Sequence, residues 1–375
     1  MSSLSQFLSQ RLARREEEGL LRQLSGYPNL IDFSSNDYLS LARSTKLFEL
    51  IRQRFDASQL KLNGATGSRL LSGNSELAED VERQLAAFFK TEASLLFNSG
   101  YAANQSVLSA IPQKGDTILY DELAHACIKD GARLSLATRY AFKHNDLDDL
   151  EKKIRKSGGG RIFIAVESIY SMDGDECPLI HLVKLAEAYS ATIVLDEAHS
   201  TGIAGPGGSG LACSLGLQNR IDIRIHTFGK AFGVHGACVC GSSDLTKFLI
   251  NFARPFIYTT ALPPHSLVAI QCAMDFIQEH PELARALHEN ISTFVDSIGI
   301  QNRIASRSAI QTALFPGNDR TKSAAIHLQA EGFDVRPILS PTVPKGTERL
   351  RICIHAHNST EEIAALTSAL NRLSS

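Results

Sequence analysis

No apolar run in this chain approaches the roughly 20 residues that a membrane-crossing helix needs. Neither sign of charge dominates. With 38 Lys and Arg against 40 Asp and Glu, the formal net charge is −2, so there is no electrostatic case for nucleic acid or an anionic membrane as partner. The opening Leu4-Ser5-Gln6-Phe7-Leu8 is too short and too polar for a secretory signal. The acids Glu16, Glu17 and Glu18 are of a kind that organelle presequences avoid. Paired cysteine spacing is missing too. Seven cysteines (Cys127, Cys177, Cys213, Cys238, Cys240, Cys272 and Cys353) give an odd, scattered set, which predicts reduced core thiols of a cytoplasmic protein with no metal site. The Gly205-Pro206-Gly207-Gly208 loop matches neither a dinucleotide fingerprint nor a P-loop. Internal repeats and low-complexity tails are absent.

What remains is an ordinary globular composition, 43% hydrophobic and 21% charged over 375 residues. That length suggests two or three units. Residues 4–24 read as a helix with Leu4, Phe7, Leu8 and Leu12 on one face, and 31–41 as a strand running into a turn. From about 45 to 260, helical stretches (75–90, 101–111, 146–156, 178–190) alternate with strand-like ones (Ser94–Phe97, Thr117–Tyr120, Arg161–Ser168, Thr192–Leu195, Ile223–Thr227, Ala237–Cys240). That alternation predicts an α/β fold with a mostly parallel sheet covered by helices on both faces. The turn Leu262-Pro263-Pro264-His265 suggests a boundary before a long helix, 265–279. A smaller C-terminal α/β unit follows, with strands at Gln311–Phe315 and Leu350–Ile354 and a last helix opened by the capping pattern Ser359-Thr360-Glu361-Glu362. The expected division is an N-terminal arm (1–40), a large domain (41–262) and a small domain (263–375).

Lys230 is the residue around which the chemistry gathers. It sits in the Gly-flanked turn Thr227-Phe228-Gly229-Lys230-Ala231-Phe232-Gly233-Val234, after a strand-like stretch. Upstream, Asp196 ends another apolar run, and His199 lies three residues on. A lysine amine can hold a cofactor aldehyde, while a strand-end carboxylate can keep a pyridinium nitrogen protonated; together they suit pyridoxal phosphate. Taken singly, each residue also suits a surface loop or a turn. Ligands of open α/β sheets collect at strand carboxyl ends, and more polar residues fall there. Gly100 and Tyr101 open a helix whose N–H groups can hold phosphate, Thr227 can donate its hydroxyl to the same group, and His125 can lie flat on an aromatic ring.

The blocks Ser34-Ser35-Asn36-Asp37-Tyr38-Leu39, Asn98-Ser99-Gly100-Tyr101-Ala102-Ala103-Asn104, Tyr170-Ser171-Met172-Asp173-Gly174-Asp175, Asp196-Glu197-Ala198-His199-Ser200-Thr201-Gly202 and Thr227-Phe228-Gly229-Lys230 together resemble the α-oxoamine synthases. The resemblance covers nearly the whole chain, with the blocks in the family's order. It implies the pyridoxal phosphate transferase fold of type I, with a central seven-stranded-type sheet. It also implies roles. Lys230 would hold the cofactor and move the substrate α-proton, Asp196 would pair with the ring nitrogen, His199 would meet the phenolic oxygen, and His125 would stack on the ring. Gly100, Tyr101 and Thr227 would serve the cofactor, with Ser171 close by. Asn36 and Arg351 would handle an amino-acid carboxylate, Thr342 would line the acyl side, and Arg22 would meet the far end of the acyl group. Thr259 or Thr260 would reach the phosphate of a neighbouring subunit in a homodimer with shared sites. Glu197 stands where some members carry Asp, and Ala78 where many carry His. The runs Gly229–Val234, Ala253–Thr260 and Pro341–Thr347 resemble the alanine-using branch of biotin biosynthesis, in which a pimeloyl thioester of coenzyme A or of a carrier protein is condensed with loss of CO2. Sister enzymes using glycine or serine are the alternative. A cofactor-free regulatory subunit is disfavoured by the retention of Lys230, Asp196 and His199 together.

Overall fold

Alternate residues of the central strands point into different cores, and this sets the architecture. The computed structural model describes residues 3–22, 24, 29–299 and 303–374. Its strands are β1 (Ile31–Asp32), β2 (Ala93–Phe97), β3 (Thr117–Asp121), β4 (Thr138–Phe142), β5 (Ile162–Glu167), β6 (Thr192–Asp196), β7 (Ile223–Thr227), β8 (Ala237–Gly241), β9 (Ile310–Leu314), β10 (Phe333–Asp334), β11 (Arg336–Ile338) and β12 (Arg349–Cys353). Along β5, Phe163 and Ala165 join one buried cluster, while Ile164 and Val166 join another. Val194 of β6 likewise faces the first, and Ile193 and Leu195 the second. A strand apolar on both sides has to be sandwiched, and helices cover both faces. The helices Gly100–Ala110 and Ala126–Leu134 close one face, Leu147–Arg155 and Leu179–Ala188 the other. Each large side chain so buried contributes roughly 1.5–3 kcal/mol of transfer free energy.

The seven-stranded sheet runs in the order β2-β8-β7-β6-β5-β3-β4. Strands β7, β6, β5, β3 and β4 are parallel, and β8 is antiparallel to both of its neighbours. A smaller antiparallel sheet, β11-β12-β9, lies in the C-terminal part. The N-terminal segment joins it indirectly: β1 pairs in parallel with β10, with Ile31 opposite Phe333. A third core runs from Phe33 through the long helix Pro264–Glu279 to Ile352 and Leu370.

Several expectations shift. The first helix spans Ser3–Glu17 rather than 4–24. Its Leu4, Phe7, Leu8 and Leu12 are exposed, so the apolar face is not buried among the described residues. Residues 31–41 hold only the two-residue β1 and then turn, because the side chains of Asp32 and Asp37 take backbone N–H groups of the turn (Ser34, Ser35 and Ala42). Strand β4 went unforeseen because it is an edge strand exposed over Thr138–Ala141, with no hydrophobic run to betray it. The Ser359 cap holds as expected: its Oγ accepts from Glu362 N at 3.2 Å, and Glu362 Oε2 accepts from Ser359 N at 3.0 Å. All seven cysteines are free and buried. No helix among the described residues is long and apolar enough to cross a membrane.

Candidate active site

Parallel register brings the strand-end side chains together. Glu167 at the end of β5 lies directly opposite Asp196 at the end of β6. Asp121, Thr227 and Phe97 end β3, β7 and β2. After β7 the chain reverses sharply: Gly233 N donates to Lys230 O at 2.8 Å and Val234 N to Phe228 O at 3.0 Å. Gly233 takes φ of 66°, and a Cβ there would come within 2.3 Å of Ala42 N. Only glycine suits that conformation and that gap. The turn aims Lys230 into a cavity of about 300 Å³.

Eight of the expected residues line that cavity: Asn36, Gly100, Tyr101, His125, Asp196, His199, Thr227 and Lys230. Lys230 Nζ lies 2.9 Å from His199 Nε2. Burial disfavours the ammonium and pushes the Lys230 amine below its ordinary value, against the pull of Asp196 and Glu167. Burial and the neighbouring Lys230 and Arg351 likewise hold His199 well below the usual imidazole range. Burial lowers His125 too, against the opposing charge of Asp196. Glu167 moves the other way, because burial and the Asp196 charge both favour its protonated form.

Asp196 is gripped on both oxygens: Oδ2 accepts from Asn104 Nδ2 at 2.7 Å and Oδ1 from Ala198 N at 2.8 Å. Across the cavity, the helix Gly100–Ala110 presents its N-terminus, capped by Ser99. The first N–H groups of a helix have no carbonyl partner within it and favour an anion. Next to them Thr227 Oγ1 is buried without a hydrogen-bond partner. A Cβ on Gly100 would sit 2.3 Å from Thr227 Cγ2. An orphaned hydroxyl and bare amides on one side, with a lysine and a held carboxylate on the other, fit the phosphate, aldehyde and ring nitrogen of pyridoxal phosphate.

Arg351 of β12 donates to Asn36 Oδ1 at 2.9 Å and to the Ser171 carbonyl at 2.7 Å, tying the two residues expected to hold a carboxylate. Ser171 lines not the Lys230 cavity but a second one of about 530 Å³, which shares His125 with the first and includes Thr342. A third cavity of about 420 Å³ shares Met172, Pro341 and Thr342 with the second and contains Arg22. Thr259 and Thr260 stand apart, lining a gap of about 20 Å³ with Arg69 and Asn98. Within this one chain they do not reach the Lys230 cavity.

Three residues carry more than the sequence suggested. Asn104 grips Asp196, and its position one turn after Gly100 on a buried helix face was the available signal. Tyr38 bridges Asn36 and His199. Glu167 accepts the backbone N–H of His125 at 2.7 Å and so fixes the backbone that bears the imidazole. Glu197, the departure noted above, lies outside the cavity; its carboxylate takes the N–H of Leu211 at 2.6 Å and the Ser200 hydroxyl at 2.6 Å.

The family model of class I and II aminotransferases matches residues 28–370. An 8-amino-7-oxononanoate synthase of Emericella nidulans is 39% identical over 391 residues, covering 97% of this chain and 94% of that protein. The structure of serine palmitoyltransferase from S. paucimobilis, bearing pyridoxal phosphate and myriocin, superposes with a TM-score of 0.89 at 24% identity, covering 100% of this chain and 98% of that one. An 8-amino-7-oxononanoate synthase from Francisella tularensis gives 0.77 at 28% identity, covering 92% and 97%. The chain belongs to the class I and II aminotransferase family and, within it, to the α-oxoamine synthases.

Proposed function

We propose that this enzyme uses pyridoxal phosphate to condense L-alanine with a pimeloyl thioester, releasing CO2 and free thiol and giving 8-amino-7-oxononanoate for biotin synthesis. Its relatives' names support the reaction. One observation supports the acyl group: the run of cavities from Lys230 past His125 and Thr342 ends in the third cavity among Arg15, Arg22 and Lys322, with no acid among that cavity's described lining residues. A chain that carries a carboxylate at its far end matches such an end; a plain hydrocarbon chain would leave the cations unmatched.

The cofactor, when bound, supplies an aldehyde for an amine and a ring that accepts the electron pair left at an amino acid's α-carbon. The protein does the rest. Asn36 and Arg351 orient the alanine carboxylate. Lys230, its amine pushed below its ordinary value by burial, takes the α-proton and later returns one. Asp196 offers its charge to the ring nitrogen, and Glu167 seats His125 between the cofactor cavity and the acyl cavity. The alanine α-carbon bonds to the acyl carbonyl carbon as the carbon–sulfur bond breaks and the thiolate takes a proton. The alanine carboxylate then departs as CO2.

The second reading, a serine- or glycine-using sister enzyme with a plain acyl chain, draws on the serine palmitoyltransferase fold. A product assay pairing alanine, glycine and serine with pimeloyl and unsubstituted acyl thioesters separates the two. Alanine with pimeloyl thioester is the expected productive pair. The Arg22→Ala variant should raise KM for pimeloyl thioester by about tenfold to a hundredfold, the size of a lost charge-assisted contact. Product from serine or glycine alone would replace this reading with the second.

A further inference from the structure

His235 lines the Lys230 cavity together with Ser99, Gly100, Tyr101 and Thr227, yet it has no part in the chemistry described so far. Its backbone is pinned from both sides. Phe228, which follows Thr227, donates its N–H to Gly236 O at 2.9 Å and receives Val234 N at its own carbonyl at 3.0 Å. One residue further, Ala237 of β8 pairs with Thr227 in antiparallel register. His235 is thereby fixed at the Thr227 end of the cavity. The first amides of the helix Gly100–Ala110 and the orphaned Thr227 hydroxyl lie at that same end. The residue is exposed, and its side chain has no hydrogen-bond or ion-pair partner among the described residues.

Charge shows what such a group can serve. A phosphate monoester carries roughly 1.5 to 2 negative charges at neutral pH, whereas amides and a hydroxyl are uncharged partners. No arginine is among the cavity's described lining residues, and its one lysine, Lys230, is committed to the aldehyde. Two of the three lining histidines are engaged elsewhere. His125 lies 2.9 Å from Cys127 Sγ, and His199 sits between Tyr38 and Lys230. Among the described lining residues only His235 is left to turn a charged N–H toward the phosphate. A neighbouring anion favours the charged imidazole, and a charge-assisted hydrogen bond is stronger than a neutral one. We propose that His235 is a further cofactor-binding residue, the cationic contact that the chain itself gives to the phosphate of pyridoxal phosphate. The inference concerns how the cofactor is held, so it stands whichever amino acid and acyl group the enzyme uses.

The test compares full-length protein loaded with pyridoxal phosphate and with pyridoxal, which keeps the ring and aldehyde but lacks the phosphate. Visible absorbance of the bound ligand, followed during dialysis, reads retention without any turnover. His235→Ala should lose pyridoxal phosphate about tenfold faster than the wild type does, and should lose pyridoxal at the wild-type rate. His235→Glu sets an anion against the phosphate and should lose pyridoxal phosphate faster still. His235→Arg restores a cation and should retain it about as well as the wild type. Equal loosening of both ligands in His235→Ala would show that His235 shapes the Lys230 turn, and would overturn the proposal. Wild-type retention of pyridoxal phosphate in both His235→Ala and His235→Glu would overturn it as well. Neither readout depends on alanine or a thioester, so a failure of the proposed condensation would leave the His235 result intact.

Discussion

Asp196 owes its orientation to a residue that never lines the cavity. Asn104 is fully buried, and its Nδ2 splits between Asp196 Oδ2 and the Gly100 carbonyl. Replacing it with Leu keeps the volume and strands one carboxylate oxygen. Turnover should fall about tenfold to a hundredfold, seen as kcat in a product assay, with Lys230 still labelled by borohydride. Asp196→Asn removes the charge itself and should cost on the order of a thousandfold in kcat. Near-normal turnover would mean that another acid faces the ring. Gly100→Ala should loosen cofactor retention in dialysis, because the new methyl overlaps Thr227 Cγ2. At this scale the sequence was readable wherever a residue type had one plausible use. Lys230 between glycines, Asp196 at a strand end and Gly100 at a helix start are such cases. Tyr38 and Asn104 were not readable, because a tyrosine or an asparagine tells nothing until its partner is known, and those partners lie 161 and 92 positions away.

The elements divide by burial. The strands at the sheet centre announced themselves as apolar runs, since both faces are covered. Strand β4 and the helices Pro281–Ser297 and Asn318–Ala330 needed tertiary context, whereas the long helix expected at 265–279 is found at Pro264–Glu279. The helix that starts at Thr360 is an instructive exception, because its start is encoded locally. Ser359→Ala removes the acceptor for Glu362 N and should cost about 1 kcal/mol, measured as a lower urea midpoint. A second element, the turn after β4, carries His144. Burial opposes its charge, but hydrogen bonds to Asp121 and Asp175 outweigh that and lift it to about 10. The folded value lies above the unfolded value of about 6.5. Its contribution is therefore complete below about pH 6.5 and is lost as pH rises through about 10. The wild type should lose stability across that window, and His144→Gln should show a flatter profile in urea titrations. Equal slopes for the two proteins would assign the alkaline loss to other groups.

For the whole molecule, the alternation of elements predicted the layered α/β architecture, and register then explains why Glu167 and Asp196 meet. What the sequence could not show is how far-separated segments share one site. Thr259 and Thr260 stay outside their own chain's cavity, which motivates the proposal of a two-fold dimer with shared sites. Lys230→Ala chains mixed with Thr259→Ala/Thr260→Ala chains, dissociated and reassociated, should regain about one intact site per mixed dimer. No recovered activity, or a monomer in sedimentation at micromolar concentration, would remove that proposal.

The pairing of β1 with β10, and of Asn36 with Arg351 across 315 positions, has a bearing on synthesis. The ribosome delivers the segment bearing Asn36 near the beginning and strand β12 near the end. Asp196 and Thr227 belong to the large sheet, but the turn that bears Lys230 packs Phe228, Ala231 and Phe232 into the core that Leu350 and Ile352 of β12 complete. The clamp for the substrate carboxylate waits for the same strand, so a late-made segment finishes both the seat of the lysine and the grip on the amino acid.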